Sequence, residues 1–332
     1  MTIHEIPSES CPDYMTMDNR RKGNTSGLRL LFFGMLGELS RMPLAALLDA
    51  GLHVAAVVVP ASALPRQSHT DRAPITPLPP EPHFSSLPIL NPYAAPHILH
   101  LAWQRQIPAF AVNHLDATPT LATLAGLEPD LICVSCFSQR FPMTLLELPR
   151  LGCLNLHPSL LPEFRGPAPL FWTFRQGKTN TGVTVHFMDE GLDTGDIALQ
   201  ASLALPDGIS GVEAERLFAA RGGELLVEAV RVLEQRQLPR RPQPPGGSTY
   251  PWPAAADFRL DIRWPARRAF NFMRGTAGWG QPYVVTVAGK ELALATAIAY
   301  KADTTIAKPA VWQGNDVYVQ FTPGVLQARP AQ

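Results

Sequence analysis

This sequence has little charge. Of its 332 residues only 17% are Asp, Glu, Lys or Arg, against 46% hydrophobic. A chain this apolar can bury enough surface to fold, which excludes an intrinsically disordered protein. Long apolar runs are missing too: no stretch of 18 uninterrupted apolar residues occurs, so no membrane-spanning helix is predicted. Cysteine is scarce, and four scattered residues make no disulfide framework, so a reducing, cytoplasmic setting is expected. Residues 1–27 contain no apolar h-region and read as a disordered tail rather than a secretory signal.

Net charge is zero as well, but by cancellation. Residues 1–237 carry 17 basic and 23 acidic side chains, and residues 238–332 carry 11 basic and 5 acidic. An acidic body is therefore joined to a basic end piece. Such an end suits either a polyanionic partner or an ordinary solvated surface.

What is present in the first half is alternation. Apolar runs at 28–34, 53–59, 107–112, 130–137 and 152–157 read as strands, with helical patterns near 38–50, 94–106, 118–126 and 143–148 between them. This order predicts an α/β fold: a doubly wound, mostly parallel, Rossmann-like sheet spanning residues 28–237. Ligands of such sheets bind beyond the carboxyl ends of the strands. Between Pro60 and Pro96 the pattern stops. Ten prolines, with Arg66, His69 and Arg72 near the start, predict a long irregular loop. A long amphipathic helix over 211–235 closes the first part. The Pro/Gly-rich stretch 238–256 then reads as a semi-rigid linker. Residues 257–332 offer a short helix near 265–274 and strands at 283–288, 291–300, 310–313 and 317–321. They predict a smaller C-terminal OB-like β domain.

Two segments carry chemistry. The first is Asn155-Leu156-His157-Pro158-Ser159-Leu160-Leu161-Pro162, followed by Arg165-Gly166-Pro167, at the end of an apolar strand. Strand alternation puts Asn155 and His157 on one face, where an amide and an imidazole can address one substrate atom. The second is Met188-Asp189-Glu190-Gly191-Leu192-Asp193-Thr194-Gly195-Asp196, whose four carboxylates taken alone suit a solvated turn or a cation site.

With 38 residues from Asn155 to Asp193, NLHPSLLPEFRGPAP and TGVTVHFMDEGLDTGDI together resemble the 10-formyltetrahydrofolate-dependent formyltransferases. Weaker similarity runs from about Leu28 to Leu238. Within the family the resemblance points to the methionyl-tRNA branch, through LLELPRLGCLNLH at 145–157, FNFMRGTAGWGQPY at 270–283 and GVLQARPAQ at 324–332. It implies transfer of a formyl group from 10-formyltetrahydrofolate to an amine, without a metal. His157 would stabilise the oxyanion and assist proton transfer, Asn155 would donate to the same oxyanion, and Asp193 would orient the imidazole and accept a proton. Ser159, Leu160, Leu161, Pro162, Phe137 and Phe141 would contact the folate. The implied partner is initiator methionyl-tRNA. A sugar-nucleotide or another small amine is the alternative acceptor, because the proline-rich 60–96 segment stands where the tRNA enzymes carry a basic loop. Hydrolysis of the formyl-folate is a further enzymatic alternative. A catalytically degenerate folate- or RNA-binding relative is the alternative of another class, motivated by Ser138-Gln139-Arg140 in place of glycine and apolar residues.

Other signals read as ordinary structure. Cys133 and Cys136 have redox spacing but fall in one apolar strand and read as core cysteines. His97 and His100 read as a solvated helix face, and Gly34-Met35-Leu36-Gly37 lacks the dinucleotide pattern.

Overall fold

The computed structural model describes residues 27–64, 73–80 and 97–331; Arg66, His69, Arg72 and all but the last residue of the tail expected over 1–27 lie outside them. The alternation in the first half becomes β1 (Leu30–Gly34), α1 (Glu38–Asp49), β2 (Val54–Pro60), β3 (Ile75–Pro77), α2 (Ile98–Gln104), β4 (Ala109–Val112), α3 (Thr118–Gly126), β5 (Leu131–Ser135), α4 (Met143–Leu146) and β6 (Cys153–His157). α5 (Pro169–Arg175), β7 (Asn180–Phe187), β8 (Ile197–Ala204) and α6 (Gly211–Glu234) follow. The sheet order is β3-β4-β2-β1-β5-β6-β7-β8. β4, β2, β1, β5 and β6 pair in parallel, and β3, β7 and β8 join antiparallel at the edges. The expected mostly parallel α/β sheet is therefore present, extended by edge strands that its alternation did not announce. Strand order reverses between β1 and β5, which opens a crevice beyond their carboxyl ends.

That crevice is braced by two serines. Pro43 lies inside α1 and has no N–H for the carbonyl of Leu39, four residues back. The Ser135 hydroxyl at the end of β5 donates to that carbonyl instead. In return the Ser40 hydroxyl donates to the Ser135 carbonyl at 2.6 Å and accepts the Met35 amide at 2.9 Å. A Cβ at Gly34 would lie 2.8 Å from the Ser40 Cβ, so only glycine fits this strand-to-helix turn. α6 starts at a reciprocal capping box, with the Ser210 hydroxyl accepting the Glu213 amide and Glu213 accepting the Ser210 amide.

The second sheet comprises β9 (Arg259–Leu260), β10 (Tyr283–Val287), β11 (Lys290–Lys301), β12 (Ala310–Gln313), β13 (Asp316–Gln320) and β14 (Val325–Pro330), in the order β12-β13-β14-β11-β10-β9. α7 (Ala266–Thr276) buries Ala266, Ala269, Phe272 and Met273 against it. The short strands and helix expected after the linker are thus present. Phe171 of α5 joins the sheets, its ring centroid 5.2 Å from Phe258 and 5.4 Å from Phe272.

Ser135→Ala would leave the Leu39 carbonyl without its donor beneath the crevice. It should lower the unfolding free energy by about 1–3 kcal/mol, read as a lower midpoint in urea. An unchanged midpoint would show that the brace carries no load.

Candidate active site

β6 carries Asn155 and His157 to its carboxyl end on one face, as alternation requires. β7 runs antiparallel beside it, and its register sets His186 opposite Asn155. The loop after β7 then brings Asp193 back over all three. Asp193 has φ +55°, a left-handed backbone uncommon for any residue with a side chain. Its Oδ2 accepts the Gly166 amide at 2.8 Å and lies 3.6 Å from His157 Nδ1. Its Oδ1 lies 3.4 Å from Asn155 Nδ2 and 3.6 Å from His186 Nε2. Gly166 is required there, since a Cβ would sit 2.1 Å from the Tyr250 carbonyl oxygen.

Hydrogen-bond partners assign the tautomers. His157 Nε2 is 2.9 Å from the carbonyl oxygen of Phe164, which can only accept, so Nε2 carries a proton. In the neutral ring Nδ1 is then bare and faces Asp193. His186 Nδ1 likewise donates to the Phe187 carbonyl at 2.9 Å, leaving Nε2 to accept from Asn155 Nδ2 at 3.1 Å. The Asn155 amide is therefore occupied by His186 and Asp193. To meet an oxyanion, as the resemblance implies, it must give up one of them.

The same geometry sets the charges. Burial pushes the His157 pKa down, against the attraction of Asp193, and the net direction is below the usual value for histidine. Burial works the other way on Asp193, but both imidazoles and the Gly166 amide hold its carboxyl well below the carboxylate range. The resting pair is a neutral imidazole with a bare Nδ1 beside a carboxylate. It can take one proton at Nδ1, and the carboxylate stabilises the imidazolium so formed.

These groups line a cleft of about 760 Å³. It is lined as well by Met35, Ser135 and Cys136 at the switch of strand order, and by Trp252 and Trp279, whose ring centroids lie 5.0 Å apart. A second cavity of about 440 Å³ shares Gln139, Arg140 and Phe141 with it. Together they suit a ligand of folate size. Phe137 and Phe141 line the cleft and form an aromatic wall with Phe33, at centroid distances of 5.3 and 5.1 Å. Ser138, Gln139 and Arg140 line it as well, and Arg140 reaches across to donate to the Glu190 carbonyl.

Ser159, Leu160, Leu161 and Pro162 line neither cavity. They form the turn behind the site. The Ser159 hydroxyl donates to the Glu163 carbonyl at 2.6 Å, the Leu161 amide meets the Thr184 hydroxyl at 3.1 Å, and the Pro162 carbonyl accepts the Ser248 amide at 3.1 Å. Their hydrogen bonds face the scaffold, which sets the position of Phe164.

Cys133 is buried as expected, but Cys136 is not a core residue. β5 ends at Ser135, and Cys136 turns at φ +59° onto the cleft, where it is exposed. His97 and His100 stack at 3.9 Å at the start of α2, and among the described residues no His, Cys, Asp and Glu group is arranged to hold a metal. His186 is the site residue that sequence reasoning missed. Its signal was the alternation of Val183-Thr184-Val185-His186, a strand pattern inside a segment read for its acidic loop.

Residues 94–230 match the family model described as Formyl transferase. Methionyl-tRNA formyltransferase of Syntrophus aciditrophicus (strain SB) is 41% identical over 197 residues, 54% of this chain and 62% of that protein. The enzyme of the same name from Synechococcus sp. (strain JA-3-3Ab) is 42% identical over 176 residues, 52% of this chain and 55% of that protein. The chain thus spans less than two thirds of the length of these relatives. Among solved structures, the N-formyltransferase from Helicobacter canadensis, in complex with folinic acid and dTDP-3-aminofucose, superposes with a TM-score of 0.59 at 12% identity. The match covers 91% of this chain and 99% of that one. WlaRD, a sugar 3N-formyl transferase, superposes with a TM-score of 0.60 at 13% identity, over 92% of this chain and 98% of that one. At such identities these structures speak for the fold. The two motif segments, the fold and the matches agree: residues 94–230 are similar to the formyl transferases, and about half of the chain resembles the methionyl-tRNA formyltransferases.

Proposed function

We propose that the chain transfers a formyl group from 10-formyltetrahydrofolate to an amine, and that the amine is the amino group of initiator methionyl-tRNA. The observation that carries the reaction is the convergence of His157, Asp193 and Asn155 at the end of a folate-sized cleft. A neutral amine attacks the formyl carbon, and the new C–N bond pushes the carbonyl pair onto oxygen. His157 Nδ1 takes the proton that the amine gives up, and Asp193 holds the resulting imidazolium. As the bond from the formyl carbon to N10 breaks, its electron pair stays on N10 and the proton follows. The protonated Nδ1, with Asn155 once freed from a resting partner, supplies donors for the oxyanion. Phe137 and Phe141 support the folate ring in this reading, and Ser159–Pro162 act through the turn they build.

The domain assignment accompanies it: catalytic residues 28–237, a joining segment 238–256 and a C-terminal domain 257–332 that meets the tRNA. The excess of cations in the C-terminal piece supports this partner. Arg259, Arg263 and Arg267 there are paired with Glu291, Asp261 and Asp207, in exposed ion pairs that a polyanion can displace. A tRNA substrate implies the cytoplasm, and among the described residues no helix is long and apolar enough to cross a membrane. A small amine such as a sugar-nucleotide is the second reading, favoured by the proline-rich rather than basic sequence of 60–96.

Labelled 10-formyltetrahydrofolate offered with charged initiator tRNA and with a panel of small amines separates the acceptors. Transfer to the tRNA is expected, and His157→Ala should reduce kcat/KM by at least about a hundredfold. Transfer only to a sugar-nucleotide would replace the acceptor; formate release without an amine would indicate hydrolysis; binding without turnover would remove the reaction. The pH profile is a second check. Both the amine and His157 must be neutral, so kcat/KM should show one acid limb from the amine, near the α-amino range of about 7.7–8.0, and a second from His157, which burial places below the usual histidine value of about 6.5. An enzyme limb above about 6.5, one that stays in place when the amine is changed, would contradict the assignment.

A further inference from the structure

We infer that Gln243, in the segment joining the two sheets, is a positioning residue that holds Asp193 in its working orientation. The inference rests on Asp193 belonging to the formyl-transfer site. Gln243 lines neither cavity, so it acts through others. The chain reaches it along β8, where Arg241 pairs with Ile197 through two backbone hydrogen bonds of 2.8 and 3.0 Å. From there the Gln243 side chain extends over the acidic loop. Its Nε2 donates to the carbonyl oxygens of Asp193 at 2.7 Å and Gly195 at 2.9 Å, using both amide hydrogens. Its Oε1 accepts from Arg165 Nε at 3.0 Å and Nη2 at 2.6 Å. A flipped amide would set oxygen against two carbonyls and nitrogen against a guanidinium, so the orientation is determined.

These bonds close a ring. Gln243 grips the backbone of Asp193, the Asp193 carboxylate accepts the Gly166 amide, and Arg165 beside Gly166 returns to Gln243. The same segment holds the turn that anchors His157. The Ser248 hydroxyl accepts the Phe164 amide at 2.9 Å, the Ser248 carbonyl accepts the Arg165 amide at 2.8 Å, and the Tyr250 amide donates to the Arg165 carbonyl at 2.9 Å. A left-handed Asp193 needs such support from outside its loop, because its own backbone does not favour that conformation. A stretch composed like a linker therefore serves as a clamp on both catalytic loops.

The test compares the full-length chain with Gln243→Leu, which loses every bond, and Gln243→Glu, which keeps the acceptor for Arg165 but loses the donors to Asp193 and Gly195. Asp193 and His186 are the titratable groups facing His157, and Asp193 favours its protonated form. Displacing Asp193 should therefore lower kcat about ten- to a hundredfold with the KM for folate little changed. It should also move the acid limb to lower pH. Equal loss in both variants assigns the effect to the two donated bonds. Wild-type kcat and acid limb in Gln243→Leu, or a lower rate with an unmoved acid limb in folded Gln243→Leu, which adds no charge, would overturn the inference. Absence of formyl transfer by the wild-type chain would instead overturn the reading of the site.

Discussion

The site depends on one hydrogen bond, from His157 Nε2 to the carbonyl oxygen of Phe164 at 2.9 Å. It decides which ring nitrogen carries the proton, and so which one faces Asp193 with a free electron pair. Without it the ring could carry its proton on Nδ1 and donate it to the carboxylate, which would move the proton-accepting nitrogen from Nδ1 to Nε2, on the side of Phe164. The separation of 3.6 Å between Nδ1 and Asp193 Oδ2 is consistent with this arrangement: too long for a hydrogen bond, and short enough to stabilise a charge when it forms.

Much of the scaffold exists to keep the Phe164 carbonyl in place. Ser159, Thr184, Leu161 and Gln200 knit the turn after β6 to β7 and β8. Ser248 and Tyr250 hold it from the other side. The Tyr250 ring stacks on Trp172 at 4.5 Å and on Phe164 at 5.8 Å, which ties the joining segment to α5 and to the aromatic core between the sheets. Catalytic geometry and the packing of the C-terminal piece share these contacts.

The parallel core was legible because buried strands and covering helices differ in period, and with it the expectation that ligands bind beyond the strands' carboxyl ends; the strand order that opens the crevice there came from the fold. Asn155 and His157 were legible from strand alternation, whereas Asp193 stood out only through family resemblance, since a carboxylate in a Gly-containing loop looks like any solvated turn. His186 and Gln243 escaped for opposite reasons. His186 sits in a regular strand whose partner and register only the fold supplies. Gln243 sits among prolines, where composition signals a spacer and carries no record of what the side chains grip. Ser159 to Pro162 were expected to contact the folate, but the hydrogen bonds of Ser159 and Leu161 turn to the scaffold rather than to the cleft.

The account stands most directly on the protonation state of one ring. Nitrogen-15 NMR of the histidine side chains at neutral pH, with His157 assigned by substitution, reports the state of each nitrogen. The structure requires a neutral His157 with the proton on Nε2 and none on Nδ1. A proton on Nδ1, in either the other tautomer or the imidazolium, would contradict it.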